Sequence, residues 1–280
     1  MSLYGVRMEI NVKNMLRILP LFEVRSIHIR RHLSKRQPAC IFFPLRFVPP
    51  YGGRMEIKMK QSPVLRIMTA QPGEIAPDLE LFKKRIAADD TELCRLIDRC
   101  GVECFKACAP KACYIISNIT VIEEETEFGG LLRVKSSGLA KVLDGCGRAV
   151  LFGATVGLAI DRIIAKYSAI SPARAWICQR IGALYIEAWC DSLCEDIAHN
   201  EGLYAKPRFS PGYGDLSIEV QSEISQLLGL PKRCGITLTD NYMMLPTKSV
   251  TAFMGLSEAP YCPVNKCSMC NRTECEFRNS

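Results

Sequence analysis

The stretch Arg208-Phe209-Ser210-Pro211-Gly212-Tyr213-Gly214-Asp215 brings a guanidinium, a Pro-Gly dipeptide and a phenol together within six positions. Proline fixes one backbone φ and glycine tolerates a positive one, so the dipeptide predicts a tight turn. Such a turn directs neighbouring amides and side chains at one small volume. An arginine there can bind a carboxylate through two parallel hydrogen bonds, which lysine cannot do. Most runs of this kind are surface turns with a solvated arginine, and a ligand-binding loop is favoured here only in combination with a second run later in the sequence.

Helical patterns lie on both sides of this loop. Ser171-Pro172 predicts a helix start, with serine as the N-cap and proline in the first turn, and the helix can run to His199-Asn200. Residues 217–228 predict an amphipathic helix closed by Gly229 and Pro231. Further helices are expected over residues 78–109, 137–145 and 158–167, and strands over residues 113–122, 149–153, 236–245 and 249–255. Because helices and strands do not alternate regularly, the sequence predicts an α+β fold, a mainly antiparallel twisted sheet with flanking helices.

The charge of the chain is concentrated at its N-terminus. The 280 residues carry a formal charge of +7, and residues 1–54 account for +8, so the remainder carries the difference, −1. This balance argues against nucleic-acid binding by the body of the protein. No apolar run approaches the roughly 20 residues of a membrane-spanning helix. We expect residues 1–54 to be a basic extension (a targeting arm, an accessory or disordered segment, or sequence upstream of a native start at Met55) and residues 55–260 to form the main domain.

Fifteen cysteines without a secretion signal indicate a reducing compartment, and hence a cytoplasmic protein. Cys178, Cys190 and Cys194 lie within one predicted amphipathic helix, where inert packing is the expected role. Three more cysteines recur every four residues and would share a helix face: Cys100, Cys104 and Cys108. A metal site on that face is a weak alternative to packing, because one helix seldom supplies a closed tetrahedral site.

A second run, Leu245-Pro246-Thr247-Lys248-Ser249-Val250-Thr251-Ala252, follows the loop at a characteristic spacing. Together the two runs resemble the activation domain of cobalamin-dependent methionine synthase over roughly residues 55 to 258. That family carries Arg-x-x-Pro-Gly-Tyr, matched by Arg208, Pro211, Gly212 and Tyr213, and a Glu-Ala-aromatic sequence, matched at Glu187-Ala188-Trp189. Its later strands are matched by Leu238, Thr239, Met244, Pro246, Ser249 and Val250, with Ala252 where glycine is usual.

The resemblance implies a site for S-adenosylmethionine. Arg208 would pair with the ligand carboxylate, and Glu187 with the ammonium or the cationic end generally. The loop amides around Ser210, Pro211 and Gly212 would contact the adenosine or the carboxylate. Tyr213 would place its phenol near the transferring methyl group and would be the catalytic residue of the site. Methyl transfer to reduced cobalamin relies on the nucleophilicity of that cofactor, so the protein contributes positioning.

The same resemblance implies a partner, namely a corrinoid protein or a cobalamin-binding methionine synthase module, together with an electron donor. No Asp-x-His-x-x-Gly cobalamin signature is present, so this chain is not a complete methionine synthase. Met254 and Gly255 stand where the family carries an aromatic pair that packs on the ligand. These two positions support the alternative function, a non-catalytic metal-binding interaction module on the same fold.

The last segment, residues 261–280, contains a C-x4-C-x2-C-x4-C array formed by Cys262, Cys267, Cys270 and Cys275. A Cys-x-x-Cys pair can hold one metal, and two outer thiolates can complete tetrahedral sulfur coordination. Zinc and an iron–sulfur cluster both satisfy this spacing, and a tail of free thiols is the alternative. The redox step implied by the resemblance favours the iron–sulfur cluster slightly.

Overall fold

Nine strands form in the described part of the chain, which is residues 64–75, 77–86 and 90–260 of a computed structural model. They are β1 (Leu65–Thr69), β2 (Lys111–Ile122), β3 (Glu125–Phe128), β4 (Leu132–Lys135), β5 (Arg148–Thr155), β6 (Tyr204–Phe209), β7 (Thr237–Leu238), β8 (Met244–Leu245) and β9 (Ser249–Ser257). The helices are α1 (Leu79–Arg85), α2 (Thr91–Ala107), α3 (Ser137–Leu143), α4 (Leu158–Ile170), α5 (Pro172–Asn200), α6 (Val220–Leu228) and α7 (Leu230–Cys234).

Seven of these strands form one antiparallel sheet: six follow the order β4-β3-β2-β5-β9-β6, and the seventh, β1, pairs with β2. The long strand β2 shares one edge between two partners, β1 along its first half and β3 along its last residues. In the centre of the sheet, Thr155 of β5 is paired with Lys111 of β2 and Ser249 of β9. The predicted α+β fold with a mainly antiparallel sheet and flanking helices is confirmed.

The central strands are buried on both faces, which explains their nearly continuous apolar sequences. Val150 and Met254 face a core shared with α2, α4 and α5. Leu151 and Phe253 point to the opposite face and pack with α3, α6 and α7. Helices therefore cover both sides of the middle of the sheet, and the edge strand β6 lies beside β9.

The longest helix, α5, has the predicted bounds within one residue and crosses the sheet. Ile177, Ile181 and Leu193 are fully buried, while Leu184 and Ala188 lie at the margin of the core. Its N-cap residue is Ser171, as expected, but the side chain of Ser171 makes no capping hydrogen bond. No helix in the described part of the chain has the length and apolarity needed to cross a membrane.

The single helix predicted over residues 78–109 is wrong, because two helices, α1 and α2, form there. Each begins at its own aspartate N-cap: Asp78 accepts from Leu81 N at 2.8 Å, and Asp90 accepts from Leu93 N at 3.0 Å. The hydrophobic pattern continues through Asp90, so the sequence predicted one helix instead of two. Gly101 lies within α2, where a Cβ would come 2.7 Å from Leu79 Cδ1, so the glycine permits close packing of the two helices.

The single strand predicted over residues 236–245 is also wrong, because two short strands, β7 and β8, form there. β7 and β8 are two residues each and pair with one another, whereas β9 pairs with β5 and β6. The C-terminal helix prediction needs a smaller correction, because α6 begins at Val220 and ends at left-handed Gly229, after which the short α7 follows at once. Pro231 permits this helix because a proline in the first turn has no intrahelical hydrogen bond to lose.

Candidate ligand-binding site

Arg208, the arginine singled out in the sequence, lies between two carboxylates of α5. Its Nη2 is 2.6 Å from Glu187 Oε2, and its Nη1 is 2.5 Å from Asp191 Oδ1. The backbone of Arg208 pairs with that of Met254 across the β6–β9 ladder, which holds the arginine at the sheet edge. The structure thus brings together Glu187 and Arg208, which the sequence places 21 residues apart.

Asp191 was not predicted as a site residue. It lies four residues after Glu187 in the same helix, so the two side chains project from neighbouring turns on one face. The spacing Glu187-x-x-x-Asp191 was the available signal, since two acids one turn apart can span a guanidinium. The strand β6, which the sequence did not predict, places Arg208 opposite that face of α5.

The cluster of Glu187, Asp191 and Arg208 carries a formal charge of −1 when all three groups are ionised. Only 13% of the Arg208 side chain is exposed, against 60% for Glu187 and 57% for Asp191. Burial lowers the pKa of Arg208, but the neighbouring Cys190, Cys194 and carboxylates outweigh burial and raise it above its ordinary value. The guanidinium is therefore a fixed positive charge, shielded from water and flanked by two acids that remain open to solvent.

The loop after Arg208 forms the tight turn that Pro211-Gly212 predicted. Gly212 has φ 85°, a left-handed conformation that disfavours other residues, and Pro211 is buried. The Gly212 amide donates to Leu216 O at 2.9 Å, and the Tyr213 amide donates to Ser210 O at 3.1 Å. These two amides are engaged within the loop, so the turn supplies a fixed shape rather than free donors at those positions. The side chain of Tyr213 is 68% exposed.

Asp215 fastens this loop to the start of α3. Its carboxylate accepts hydrogen bonds from Ser136 Oγ at 2.5 Å, Ser137 N at 2.6 Å and Gly138 N at 3.1 Å. The hydrogen bond from Ser136, with further ones from Ser137 and Gly138, holds the pKa of Asp215 well below its usual range. The loop is thus held at both ends, by the β6 strand before it and by this carboxylate after it.

The second run, residues 245–252, leads into β9. Asp161 of α4 accepts from Thr247 N at 2.7 Å and from Thr247 Oγ1 at 2.5 Å, which fixes the turn before the strand. Lys248 is only 6% exposed, and its chain passes over Gly182 of α5, where a Cβ would come 3.1 Å from Lys248 Cε. Burial lowers the pKa of Lys248, and nearby Asp161 opposes that shift only in part.

Met254 and Gly255, which replace the expected aromatic pair, are both buried within β9. Met254 belongs to the core beneath α5, on the face opposite to Phe253. A Cβ at Gly255 would come 2.7 Å from Cys146 Sγ and 3.2 Å from Leu143 Cδ2. The sheet interior therefore requires a small residue at position 255.

Most cysteines in the described part of the chain are packed in the core. Cys100, Cys104, Cys178 and Cys190 are fully buried, and Cys108 and Cys194 nearly so, as inert packing predicts. Within residues 64–75, 77–86 and 90–260, no group of three or more metal-ligating side chains has the arrangement to hold an ion. The metal alternative for the helical cysteines is therefore not supported. Cys262, Cys267, Cys270 and Cys275 lie outside the described residues, and their metal site stays a prediction.

Residues 151–276 match the sequence model of the vitamin B12 dependent methionine synthase activation domain. The resemblance expected from the two runs is confirmed, because this match contains Glu187, Arg208, the Pro-Gly turn and β9. No curated protein sequence is significantly similar to the chain.

The fold of the activation domain extends beyond the matched residues. A crystal structure of the MetH reactivation domain bound to AdoHcy is similar to this protein with a TM-score of 0.54 and 14% sequence identity. The similarity covers 73% of this chain and 82% of that one. At this identity the likeness concerns the fold, and it includes elements before residue 151 that the sequence model does not reach.

Proposed function

We propose that this protein binds S-adenosylmethionine and supports the reductive methylation of a separate cobalamin-dependent methionine synthase or related corrinoid protein. The observation that carries the proposal is the junction of Arg208 with Glu187 beside the Pro211-Gly212 turn. A shielded guanidinium next to an exposed carboxylate is complementary to an α-amino acid, which presents one carboxylate and one ammonium. The match to the activation domain family and the fold shared with a protein that binds AdoHcy support the same ligand.

The ligand carboxylate would bind Arg208, whose fork matches the two carboxylate oxygens. Glu187, more than half exposed, would turn to the ligand ammonium. The loop of Ser210, Pro211 and Gly212 would form one wall of the adenosine pocket. It would contact the adenosine by packing, because the Gly212 amide already donates to Leu216 O and is not free to bind the ligand.

Tyr213 would take the position nearest the reacting methyl group. Its side chain is largely exposed on a loop that is fixed at both ends, so the phenol can meet a partner without rearrangement of the backbone. The methyl acceptor would be the cobalt of a corrinoid carried by the partner protein, kept reduced by an electron donor. A reducing cytoplasm, consistent with the many buried free thiols, suits this reaction.

A methyl-transfer assay with a corrinoid partner tests the proposal. The full chain, a corrinoid protein, a chemical reductant and S-adenosylmethionine labelled in its methyl group would be combined, and label on the corrinoid measured. We expect transfer that depends on the chain and is strongly reduced by Arg208→Ala. Arg99→Ala removes an exposed arginine of α2 and should leave transfer unchanged. Equal transfer with and without the chain, for each corrinoid partner tested, would contradict the proposal.

We further propose that Cys262, Cys267, Cys270 and Cys275 bind one metal centre, either an iron–sulfur cluster or zinc. The spacing of the four thiols supports this, with Cys267 and Cys270 as the inner pair. Anaerobic purification, metal analysis and visible absorption should give a brown protein with iron and sulfide, or a colourless one with stoichiometric zinc. If metal-supplemented cells yield neither, and all four thiols react freely with a thiol reagent, the site does not exist.

If the metal centre serves only protein contact, the interaction-module alternative applies. In that case Arg208→Ala and Glu187→Ala would leave partner binding unchanged, whereas removal of residues 261–280 would abolish it. Retention of partner binding without the tail would exclude this alternative.

A further inference from the structure

We infer that Asp191 is a positioning residue. It holds Arg208 in place while the ligand carboxylate replaces Glu187 on Arg208 and Glu187 turns to the ligand ammonium. The inference rests on the proposed function and adds a residue and an order of contacts to it. Its starting point is that each terminal nitrogen of Arg208 already donates to an acid, Nη2 to Glu187 and Nη1 to Asp191. A ligand carboxylate that takes over Nη2 must displace Glu187, and one that takes over Nη1 must displace Asp191.

Displacing both acids together is unfavourable. The Arg208 side chain is largely buried, and a buried charge that loses all its partners is strongly destabilised. Releasing one acid costs little, because both carboxylates are more than half exposed and the released one is solvated by water while the other stays paired with Arg208. Ligand binding therefore proceeds by exchange of a single partner, with the other acid kept in place.

Glu187 can move away from Arg208 more easily than Asp191 can. Glu187 has one more rotatable bond than Asp191, so its carboxylate can swing away from Arg208 and still reach a group bound nearby. The shorter Asp191 side chain holds its carboxylate close to the helix, 2.5 Å from Nη1. Glu187 is thus the acid that turns to the ligand ammonium, and Asp191 is the anchor that keeps the Nη2 end of Arg208 directed at the ligand carboxylate.

The charge balance fits this exchange. The amino-acid end of S-adenosylmethionine carries one positive and one negative charge and adds no net charge to the cluster. The formal −1 of the three side chains then remains to offset the sulfonium. If Asp191 were lost, the cluster would be neutral and Arg208 would keep Glu187 as its sole carboxylate partner in the cluster, so Glu187 would be less available to the ligand.

The test measures ligand affinity by isothermal titration for the wild-type chain, Asp191→Asn, Asp191→Glu and Asp196→Asn, the last being an exposed aspartate of the same helix. We expect Asp191→Asn to weaken S-adenosylmethionine binding about tenfold, in line with a lost charge-assisted contact. Asp191→Glu, which keeps the carboxylate, should restore most of the affinity, and Asp196→Asn should change nothing. Decarboxylated S-adenosylmethionine keeps the ammonium and the sulfonium but lacks the group that Arg208 binds, so Asp191→Asn should weaken its binding less than that of S-adenosylmethionine.

Each outcome decides a separate point. Wild-type affinity in Asp191→Asn, equal losses in Asp191→Asn and Asp191→Glu, or an equal loss for the decarboxylated ligand would overturn the positioning role. Failure of the wild-type chain to bind S-adenosylmethionine would instead refute the proposed function. Urea unfolding of each variant separates both results from a general loss of folding.

Discussion

Asp215→Asn should weaken the attachment between the ligand-binding loop and α3. The carboxylate accepts from Ser136 Oγ at 2.5 Å and from Ser137 N at 2.6 Å. An asparagine can keep the contact with Ser136, but its amide group would then face the Ser137 N–H, and two donors would meet. A hydrogen bond to a charged group contributes roughly 1.5–3 kcal/mol. Because Asp215 is exposed and screened by solvent, we expect a loss below that range, about 1 kcal/mol in the free energy of unfolding.

The pH dependence supplies a second, independent readout. The pKa of Asp215 is depressed in the folded protein, so its contribution to stability is fully present above the unfolded pKa of about 3.9. As the pH falls further, toward the folded pKa, that contribution is lost. The stability difference between the wild type and Asp215→Asn should therefore be constant from pH 7 to pH 5 and shrink below about pH 4.

Urea denaturation followed by circular dichroism measures both effects. Asp240→Asn is the matched control, since Asp240 is exposed in a turn and makes no hydrogen bond through its side chain with the described residues. If Asp215→Asn costs no more than Asp240→Asn, or if the difference stays constant down to pH 2, the account of this carboxylate is wrong.

Two further substitutions test the packing around β9. Lys248→Met should stabilise the protein at pH 7 by about 1 kcal/mol, because it removes a buried ammonium without an ion pair among the described residues. Because the pKa of Lys248 is lowered on folding, the wild type becomes more stable as the pH rises toward 10.5, and the advantage of Lys248→Met should shrink. An advantage of Lys248→Met that stays constant in alkali would contradict this. Gly255→Ala should destabilise by about 1–3 kcal/mol through contact with Cys146 Sγ, as measured by thermal unfolding. The added change Cys146→Ala should recover part of that loss, and no recovery would refute the contact.

The sequence predicted the parts of this fold that depend on local patterns. Ser171-Pro172 and Gly229 fixed the ends of helices, and the apolar run from Ala149 predicted β5. The pairing of β7 with β8 could not be predicted, because short strands carry little periodicity and the partner is set by tertiary packing. The second start at Asp90 lay within a continuous hydrophobic pattern, so one helix was predicted where two form.

The candidate site was predicted in part for the same reason. Arg208, Glu187 and the Pro211-Gly212 turn belong to motifs that can be recognised in the sequence. Asp191 and Asp215 act through contacts between distant elements, α5 with β6 and the loop with α3, and these contacts depend on the topology of the sheet. The spacing of Glu187 and Asp191 shows two acids on one helix face, but it does not show which side chain they contact.

Isothermal titration of the folded full chain with S-adenosylmethionine tests the central claim most directly. We predict saturable 1:1 binding by the wild type and by Arg99→Ala. Arg208→Ala should bind about 10-fold to 150-fold more weakly, the range for a lost charged hydrogen bond of roughly 1.5–3 kcal/mol. Absence of heat at millimolar ligand in a folded wild-type sample, or equal binding by Arg208→Ala, would contradict the claim that Arg208 and its flanking carboxylates form the binding site.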